Sequence, residues 1–436
     1  MKANFQIILV AVFLAFAVFA VLIFSGILPI GNSTNSSTLP QGKVVIWGTF
    51  PSLEMGNAFD AINTTNGTLT IKYVEQPKDK YQQNLVEAFA AGTGPDMFFV
   101  TEDMLLRNKN FIYTLPYASY PEKLFRDSFI DGADIYLNKD GVSAIPIVVD
   151  PLVMYYNKTL LANEAIVTPP VYWDELFLLV DKLTKKKTDG TISQSMIALG
   201  SYENINHAKD ILSLLLMQGG NPIVVRNNDL LTSTLKDRFN LPVAPIDSVI
   251  PFYTSFSNAS DSAYSWNRGL ISSYDMFIGG KLAFYLGRAS ELFKIESVNP
   301  NLSFDVTSIL QTRGTSTIRT YGKIYGLAIS SKSPNQATSI GVLGLITSPD
   351  AMQKISTTLS LPPTLRSLLA TLPKDPYLYS FFQFAIVTRS WLDPESTATD
   401  KMFSELISNV LSNKLSLSDA VLKADGQLRV LLPNNL

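Results

Sequence analysis

The chain has 436 residues and a formal net charge of -2. A chain of this length is too long for one simple hydrophobic core and long enough for two lobes. The near-zero net charge gives no electrostatic reason to expect nucleic-acid binding. The lack of cysteine excludes thiol nucleophiles, disulfides and thiolate metal sites. A catalytic triad or a multi-histidine metal site would depend on the single histidine, His207, so we expect neither a cofactor nor a metal.

The amino-terminal segment predicts a membrane anchor. Residues 5–30 are nearly all apolar, and no charge occurs between Lys2 and Lys43. As a helix this run would be about 39 Å long, which exceeds the roughly 30 Å of bilayer hydrocarbon. We interpret residues 1–31 as an uncleaved transmembrane helix whose amino terminus is cytoplasmic, with a cleaved signal peptide as the alternative. The Ser-, Thr- and Asn-rich residues 32–42 predict a flexible linker to an extracellular part.

Strand and helix patterns alternate after the linker. The first strands are predicted at 43–50, 69–76 and 94–100, and helical spacing separates them at 52–63 and 81–91. This alternation predicts a parallel α/β sheet. Further along, the patterns predict extended segments at 143–150, 152–157 and 323–330 and helices at 171–186, 210–218 and 400–430.

Seven segments together carry a family resemblance. They are AAGTGPDMFFV (90–100), AIPIVVDPLVMYYNKTLL (144–161), TPPVYWDELFLLVDKL (168–183), MFIGGKLAFYLGRASEL (276–292), YGLAISSKSPNQATSIGVLGLITSPDAM (325–352), LPPTLRSL (361–368) and LSLSDAVLKADGQL (415–428). In this order they resemble family 1 of the bacterial extracellular solute-binding proteins, the importer-associated, maltose-binding-protein-like branch. The family's lipid-bearing cysteine is absent, and the apolar anchor would replace it.

The resemblance implies a two-lobed, periplasmic-binding-protein-like α/β fold of type II, with a mostly parallel sheet and flanking helices in each lobe. We expect lobe 1 at 43–150 plus 284–325 and lobe 2 at 151–283 plus 326–436, with hinges near 150, 283 and 325. It also implies a monomeric, noncatalytic component of an ABC-type importer. Such a protein closes on a small solute, here expected to be a sugar, and delivers it to ABC permease subunits in the membrane.

The ligand-binding candidates combine aromatic rings with planar hydrogen-bonding groups, the residue types that bind sugars. Asp150 ends an apolar strand where the chain should cross between lobes, and Trp266 lies in a polar stretch that predicts partial exposure. A core role for Trp47, a turn cap for Asp96 and a salt bridge for Arg288 are the alternatives. His207 has no predicted role. The full candidate set is Trp47, Thr49, Asp96, Asp150, Tyr155, Trp266, Tyr285, Gly287, Arg288, Tyr325, Arg366 and Trp391.

Two other functions compete with solute binding. An anchored extracellular hydrolase of carbohydrates would need two carboxyl groups about 5–9.5 Å apart across a cleft, and Asp96 with Asp150 would be the pair. A surface adhesion module would show repeats, and the sequence has none. The ligand also stays open at this point, because a peptide, a polyamine or a phosphorylated polyol would suit a polar cleft as well.

Overall fold

The computed structural model describes residues 40–65, 67–227, 230–315 and 317–433. The predicted anchor at 1–31 and all but the last three residues of the predicted linker lie outside these ranges. Gly42, assigned to the linker, already belongs to the first strand. Within the described ranges, no helix is both long enough and apolar enough to cross a membrane.

The strands of the described ranges are short except for two. They are β1 (Gly42–Gly48), β2 (Leu69–Glu75), β3 (Met97–Val100), β4 (Ile112–Tyr113), β5 (Leu115–Pro116), β6 (Gly141–Val142), β7 (Ile145–Asn157), β8 (Lys185–Lys186), β9 (Ile192–Ile197), β10 (Val224–Asn227), β11 (Leu230–Ser233), β12 (Leu282–Arg288), β13 (Phe304–Thr307), β14 (Thr320–Ser330) and β15 (Thr388–Arg389).

The α-helices surround these strands. They are α1 (Ser52–Thr65), α2 (Tyr81–Ala90), α3 (Leu105–Asn108), α4 (Glu122–Ser128), α5 (Lys158–Asn163), α6 (Val180–Leu183), α7 (Ala208–Gln218), α8 (Pro245–Ser255), α9 (Ser273–Ile278), α10 (Leu292–Val298), α11 (Gln336–Ile346), α12 (Pro349–Leu359), α13 (Arg366–Leu369), α14 (Pro376–Val387), α15 (Ser396–Leu411) and α16 (Leu417–Leu431). Short 3-10 helices form at Lys109–Phe111, Asp131–Tyr136, Trp173–Leu178 and Ala289–Glu291.

The main sheet follows the order β2-β1-β3-β14-β7-β12-β9-β8. We call the β2-β1-β3-β14 side, with α1, α2, α11 and α12, the first lobe. The β12-β9-β8 side, with α7 to α9, α15 and α16, is the second lobe. The pairs β1–β2, β1–β3 and β9–β12 are parallel, as the alternation predicts.

The strands that connect the lobes are antiparallel to their neighbours, so the sheet is mixed rather than mostly parallel. β7 is a single 13-residue strand. Its first half pairs with β14, where Pro151 lies opposite Gly322, and its second half pairs with β12, where Leu152 lies opposite Arg288. The strand is almost wholly buried because its sequence, IPIVVDPLVMYYN, is apolar on both faces.

Strand pairing assigns two segments differently from the sequence prediction. Residues 284–288 of β12 pair with the second half of β7, and Phe284 also pairs with β9 of the second lobe, although we expected 284–325 in lobe 1. Residues 326–329 of β14 pair with β3, and α11 and α12 pack on α1 and β1, although we expected 326–436 in lobe 2. The chain therefore returns to the first lobe at β14 rather than at β12, and it stays there through α12.

An aromatic cluster forms the core of the second lobe. Tyr155 on β7, Tyr285 on β12, Phe277 on α9 and Phe304 on β13 are each at most 5% exposed. Their ring centroids lie 5.5 to 6.3 Å apart in stacked, tilted and edge-on pairs. Such pairs stabilise a core beyond simple area burial, and here they fix the strand ends that carry the site.

Candidate functional site

A cavity of about 710 Å³ lies between the two lobes. The first lobe contributes Glu102 and Asp103, which lie just beyond the end of β3. The second lobe contributes the first turn of α7 and the amino-terminal half of α15. Ligands of open α/β sheets bind at this carboxyl edge of the strands. The lining residues are Glu102, Asp103, Tyr202, Glu203, Ile205, His207, Ala208, Lys209, Asp210, Arg288, Tyr321, Lys323, Asp393, Ser396, Thr397, Asp400, Lys401 and Ser404.

Ion pairs organise the wall of this cavity. Lys209 Nζ lies 2.7 Å from Asp393 Oδ2 and also bonds to Ser396 and Thr399. Arg288 Nε donates to Asp210 Oδ2 at 3.0 Å, and Lys323 Nζ donates to Asp103 Oδ2 at 3.2 Å. These side chains are at most 24% exposed, so each charge depends on its partner to offset the cost of desolvation.

His207 precedes α7 and joins this network. Its backbone adopts the left-handed conformation, with φ 60°. Its Nδ1 lies 3.5 Å from Asp210 Oδ2, and its Nε2 lies 3.1 Å from Glu291 Oε2. Burial lowers the pKa of His207, but bonding to Asp210 and Glu291 outweighs burial and raises it to about 9. His207 is therefore a cation at neutral pH on the cavity wall, a position that the sequence did not predict.

Glu102 is a deeply buried acidic group on the cavity wall. It is 1% exposed, its Oε1 lies 3.3 Å from the Tyr321 hydroxyl, and its Oε2 has no hydrogen-bond partner. Burial, and then the charge of Asp103, raise the pKa of Glu102 to about 7. The adjacent Asp103 behaves oppositely, because Lys323 and Thr101 overcome burial and hold its pKa below the ordinary value.

The fold agrees with comparisons to known proteins. A family model described as bacterial extracellular solute-binding protein matches residues 57–377. This chain belongs to that family. The resemblance seen in the seven sequence segments is thus confirmed, and with it the class of binding protein rather than enzyme.

Solved structures share the fold of this solute-binding protein. A cyclo/maltodextrin-binding protein complexed with maltotetraose has a TM-score of 0.71 at 16% identity and covers 91% of this chain and 98% of its own. The cyclic alpha-maltosyl-1,6-maltose binding protein from Arthrobacter globiformis has a TM-score of 0.71 at 15% identity, and the match covers 90% of this chain and 99% of that protein. A solute-binding protein from Thermotoga lettingae bound with alpha-D-tagatose has a TM-score of 0.64 at 17% identity, and the match covers 89% of this chain and 99% of that protein. The two-lobed α/β architecture is therefore established.

Of the twelve predicted site residues, Arg288 lines the cavity of this solute-binding protein. Four others lie directly beneath it. The Asp150 carboxylate accepts from Ser290 N at 2.9 Å and from Ser290 Oγ at 2.7 Å, and burial raises its pKa despite nearby Arg288. Asp150 thus caps the turn at Ala289–Glu291 that follows β12.

The aromatic candidates on the crossover strands also act beneath the cavity. The Tyr155 hydroxyl donates to the Arg288 carbonyl at 2.7 Å, and the Tyr285 hydroxyl donates to Glu291 Oε2 at 2.9 Å. A Cβ at Gly287 would collide with the Tyr285 ring and with Glu291 Oε2, and it would crowd the Tyr155 ring. Gly287 therefore serves close ring packing, and these three residues hold the Arg288 backbone in place.

The candidates in the first lobe lie outside the cavity lining. Asp96 accepts hydrogen bonds from Val45 N at 2.9 Å, Ser333 Oγ at 2.6 Å and Asn335 Nδ2 at 3.1 Å. These bonds connect β1 to the turn after β14. Trp47 and Thr49 are half-buried at the end of β1. Tyr325 is half-buried with its ring 4.8 Å from the ring of Phe50.

Three candidates remain, and none of them lines the interlobe cavity. Trp266 is 0% exposed, with Nε1 bonded to Asn204 Oδ1 at 3.1 Å, so the prediction of partial exposure is wrong. Trp391 is 2% exposed and donates to Ser213, while it lines a separate cavity of about 470 Å³. Arg366 pairs with Asp131 at the surface.

The sequence reasoning missed most of the cavity lining. Glu102 and Asp103 follow a buried strand directly, and this signal was available because polar residues at strand ends face such clefts. The pairs Lys209–Asp393 and Arg288–Asp210 join positions 184 and 78 residues apart, so no local pattern indicates them.

Proposed function

We propose that this solute-binding protein holds a carbohydrate in the interlobe cavity and delivers it to the permease of an ABC-type importer. The observation that carries the proposal is a polar cavity of about 710 Å³ whose wall comes from both lobes at the strand ends. Its volume suits a small solute. Structures of similar fold are complexed with maltotetraose and alpha-D-tagatose, which supports the sugar class.

In this proposal the lobes close on the ligand by hinge motion. The crossover strands β7 and β14 connect them, and the cavity wall is divided between Glu102 and Asp103 on one side and α7 and α15 on the other. A ligand that contacts both sides favours the closed arrangement by its differential affinity. The closed form is then the one that the permease recognises.

The proposal includes a single-pass anchor at residues 1–31 with the binding part outside the cell, and a monomeric state. The apolar run at 5–30 supports the anchor. Membrane fractions of expressing cells would retain the chain after alkaline washing and release it into detergent. Recovery in the wash would contradict the anchor, and light scattering of the detergent-solubilised chain would contradict the monomer if it gave twice the mass.

The hydrolase alternative receives no support from the predicted carboxylates. Asp96 is bonded to Val45, Ser333 and Asn335, and Asp150 is bonded to Ser290. Neither lines the cavity, so this pair does not flank a ligand there.

The test is thermal unfolding of the full-length chain against mono- and oligosaccharides, amino acids and polyamines. A ligand at a hundredfold over its Kd should add about 2.7 kcal/mol of stability. We expect saccharides to raise Tm and to be recovered chemically intact, with scattering measurements that show a more compact chain. Stabilisation by amino acids or polyamines alone would overturn the carbohydrate proposal, and recovery of cleaved saccharide would favour the hydrolase.

A further inference from the structure

The basic groups on the deep cavity wall are already neutralised. Each forms an ion pair with an acidic residue of the chain, and each pair is largely shielded from solvent. The pairs are Lys209 with Asp393, Arg288 with Asp210, and Lys323 with Asp103. His207 lies near two carboxylates, Asp210 and Glu291, which offset its charge, although its Nε2 has no aligned hydrogen-bond partner. A ligand anion would have to displace one of these carboxylates, which would leave a buried charge without a partner.

Acidic groups are in excess on the same wall. The lining contains six carboxyl side chains against four of lysine or arginine, with His207 as a fifth cation. One of those cations, Lys401, has a side chain 77% exposed and lies at the rim, 4.0 Å from Glu405. Because its charge is screened by water, it offers a ligand anion little compensation.

Glu102 leaves one hydrogen-bonding requirement of the wall unmet. Its Oε2 is buried and has no partner, although the side chain borders the cavity. A buried polar atom without a partner is costly, and a group that supplies the missing bond recovers that cost. A hydroxyl or an ammonium group supplies a donor to this oxygen, whereas a carboxylate or a phosphate brings another acceptor and a like charge.

We propose that the cavity selects uncharged or amine-bearing polyhydroxylated solutes and rejects anionic ones, and that Glu102 is the residue that determines this selection. The inference rests on the proposed function and narrows its substrate class. Neutral sugars and amino sugars fall inside the selected class. Uronic acids and sugar phosphates fall outside it.

The experiment is titration calorimetry of the full-length chain with matched saccharides at pH 8. This pH lies above the pKa of about 7 to which burial raises Glu102, so its carboxyl group is mostly ionised. The probes are glucose, glucosamine and glucuronate, the corresponding galacto and manno series, and maltotriose with its phosphorylated derivative. We expect at least one neutral or amino member to bind and its anionic counterpart to bind more weakly by about tenfold or more. The variant Glu102→Gln should reduce this preference by about tenfold, because it removes the like charge and can itself donate.

The matched control is Glu87→Gln, which removes one carboxylate from the exposed face of α2, outside the cavity lining. It should keep the wild-type preference. Circular dichroism establishes that both variants fold before they are compared. If Glu102→Gln is folded and keeps the full preference, the role of Glu102 is overturned.

The outcomes for the substrate class are separable from those for the function. An anionic saccharide that binds as tightly as its neutral counterpart would overturn the selection and leave carbohydrate binding intact. Failure of every saccharide to bind would overturn carbohydrate binding and this inference together. Preference for neutral or amino members, weakened in Glu102→Gln alone, would support both.

Discussion

The charged cavity and the aromatic cluster of the second lobe lie a few residues apart on the same strand. Tyr285 of β12 is packed among rings, whereas Arg288, three residues further along, reaches Asp210 on the cavity wall. We expected aromatic residues in the cleft, but Tyr155 and Tyr285, which were predicted there, are in the core. The comparison teaches that the rings of the cluster position the site, while its surface is formed mainly by charged and polar side chains, with Tyr202 and Tyr321 among them.

The largest expected effect comes from removing one partner of a buried pair. Arg288→Ala leaves Asp210 buried with only His207 beside it, and breaking such a pair typically costs about 3–5 kcal/mol of unfolding free energy. Urea denaturation measures the loss. Arg313→Ala is the control, because its pair with Asp174 is half-exposed and should matter far less. Equal losses would show that the cavity pairs behave as surface pairs.

The next largest effect is a pH dependence of stability that the buried Glu102 should cause. The pKa of Glu102 rises from 4.5 to about 7 on folding, because burial disfavours its charged form. The unfolded chain therefore releases this proton at lower pH than the folded chain does. The contribution of Glu102 to the unfolding free energy is fully present below pH 4.5. It declines as the pH rises to about 7, by about 3 kcal/mol in total.

The measurement is urea denaturation at a series of pH values for wild type and Glu102→Gln. The variant cannot ionise at this position, so the difference between the two unfolding free energies should change across pH 4.5 to 7, in favour of the variant at high pH. A constant difference would contradict the buried state of Glu102.

The smallest effect tests the aromatic cluster. Phe277→Leu replaces a fully buried aromatic ring with a smaller aliphatic side chain. Such a size change in a core should lower the unfolding free energy by about 1 kcal/mol. If the rings only position the site, saccharide affinity should change little while the unfolding free energy falls. A loss of affinity larger than the loss of stability would show that the cluster takes part in binding directly.

Local patterns predicted the first lobe well. Strands β1 to β3 and helices α1 and α2 appear where the alternation placed them, since each element buries one regular face. Longer segments were predicted less accurately. The segments at 143–150 and 152–157 form one strand, because Pro151 lies opposite Gly322 within the sheet and does not end it. The helix at 400–430 is two helices, because Asn413 has φ 54° and Ser416 caps α16.

The site was harder to predict than the fold. Arg288 was predicted near the cleft because of its place at the end of a crossover strand, and it lines the cavity. The partners that define its chemistry, Asp210 and His207, come from another element, and pairing between distant elements leaves no periodic pattern in one sequence. Trp266 shows the converse, because polar neighbours in the sequence did not make it exposed: its ring packs in the core and its Nε1 is bonded to Asn204.

The path of the chain through β7 and β14 has a consequence for how this protein can be rebuilt. The first lobe is assembled from two stretches of chain separated by most of the second lobe, and β7 contributes to both. No single cut releases either lobe as a contiguous piece. Lobe exchange between relatives would therefore require two or more coordinated junctions, and a fragment that ends inside β7 would expose unpaired strand edges prone to aggregation.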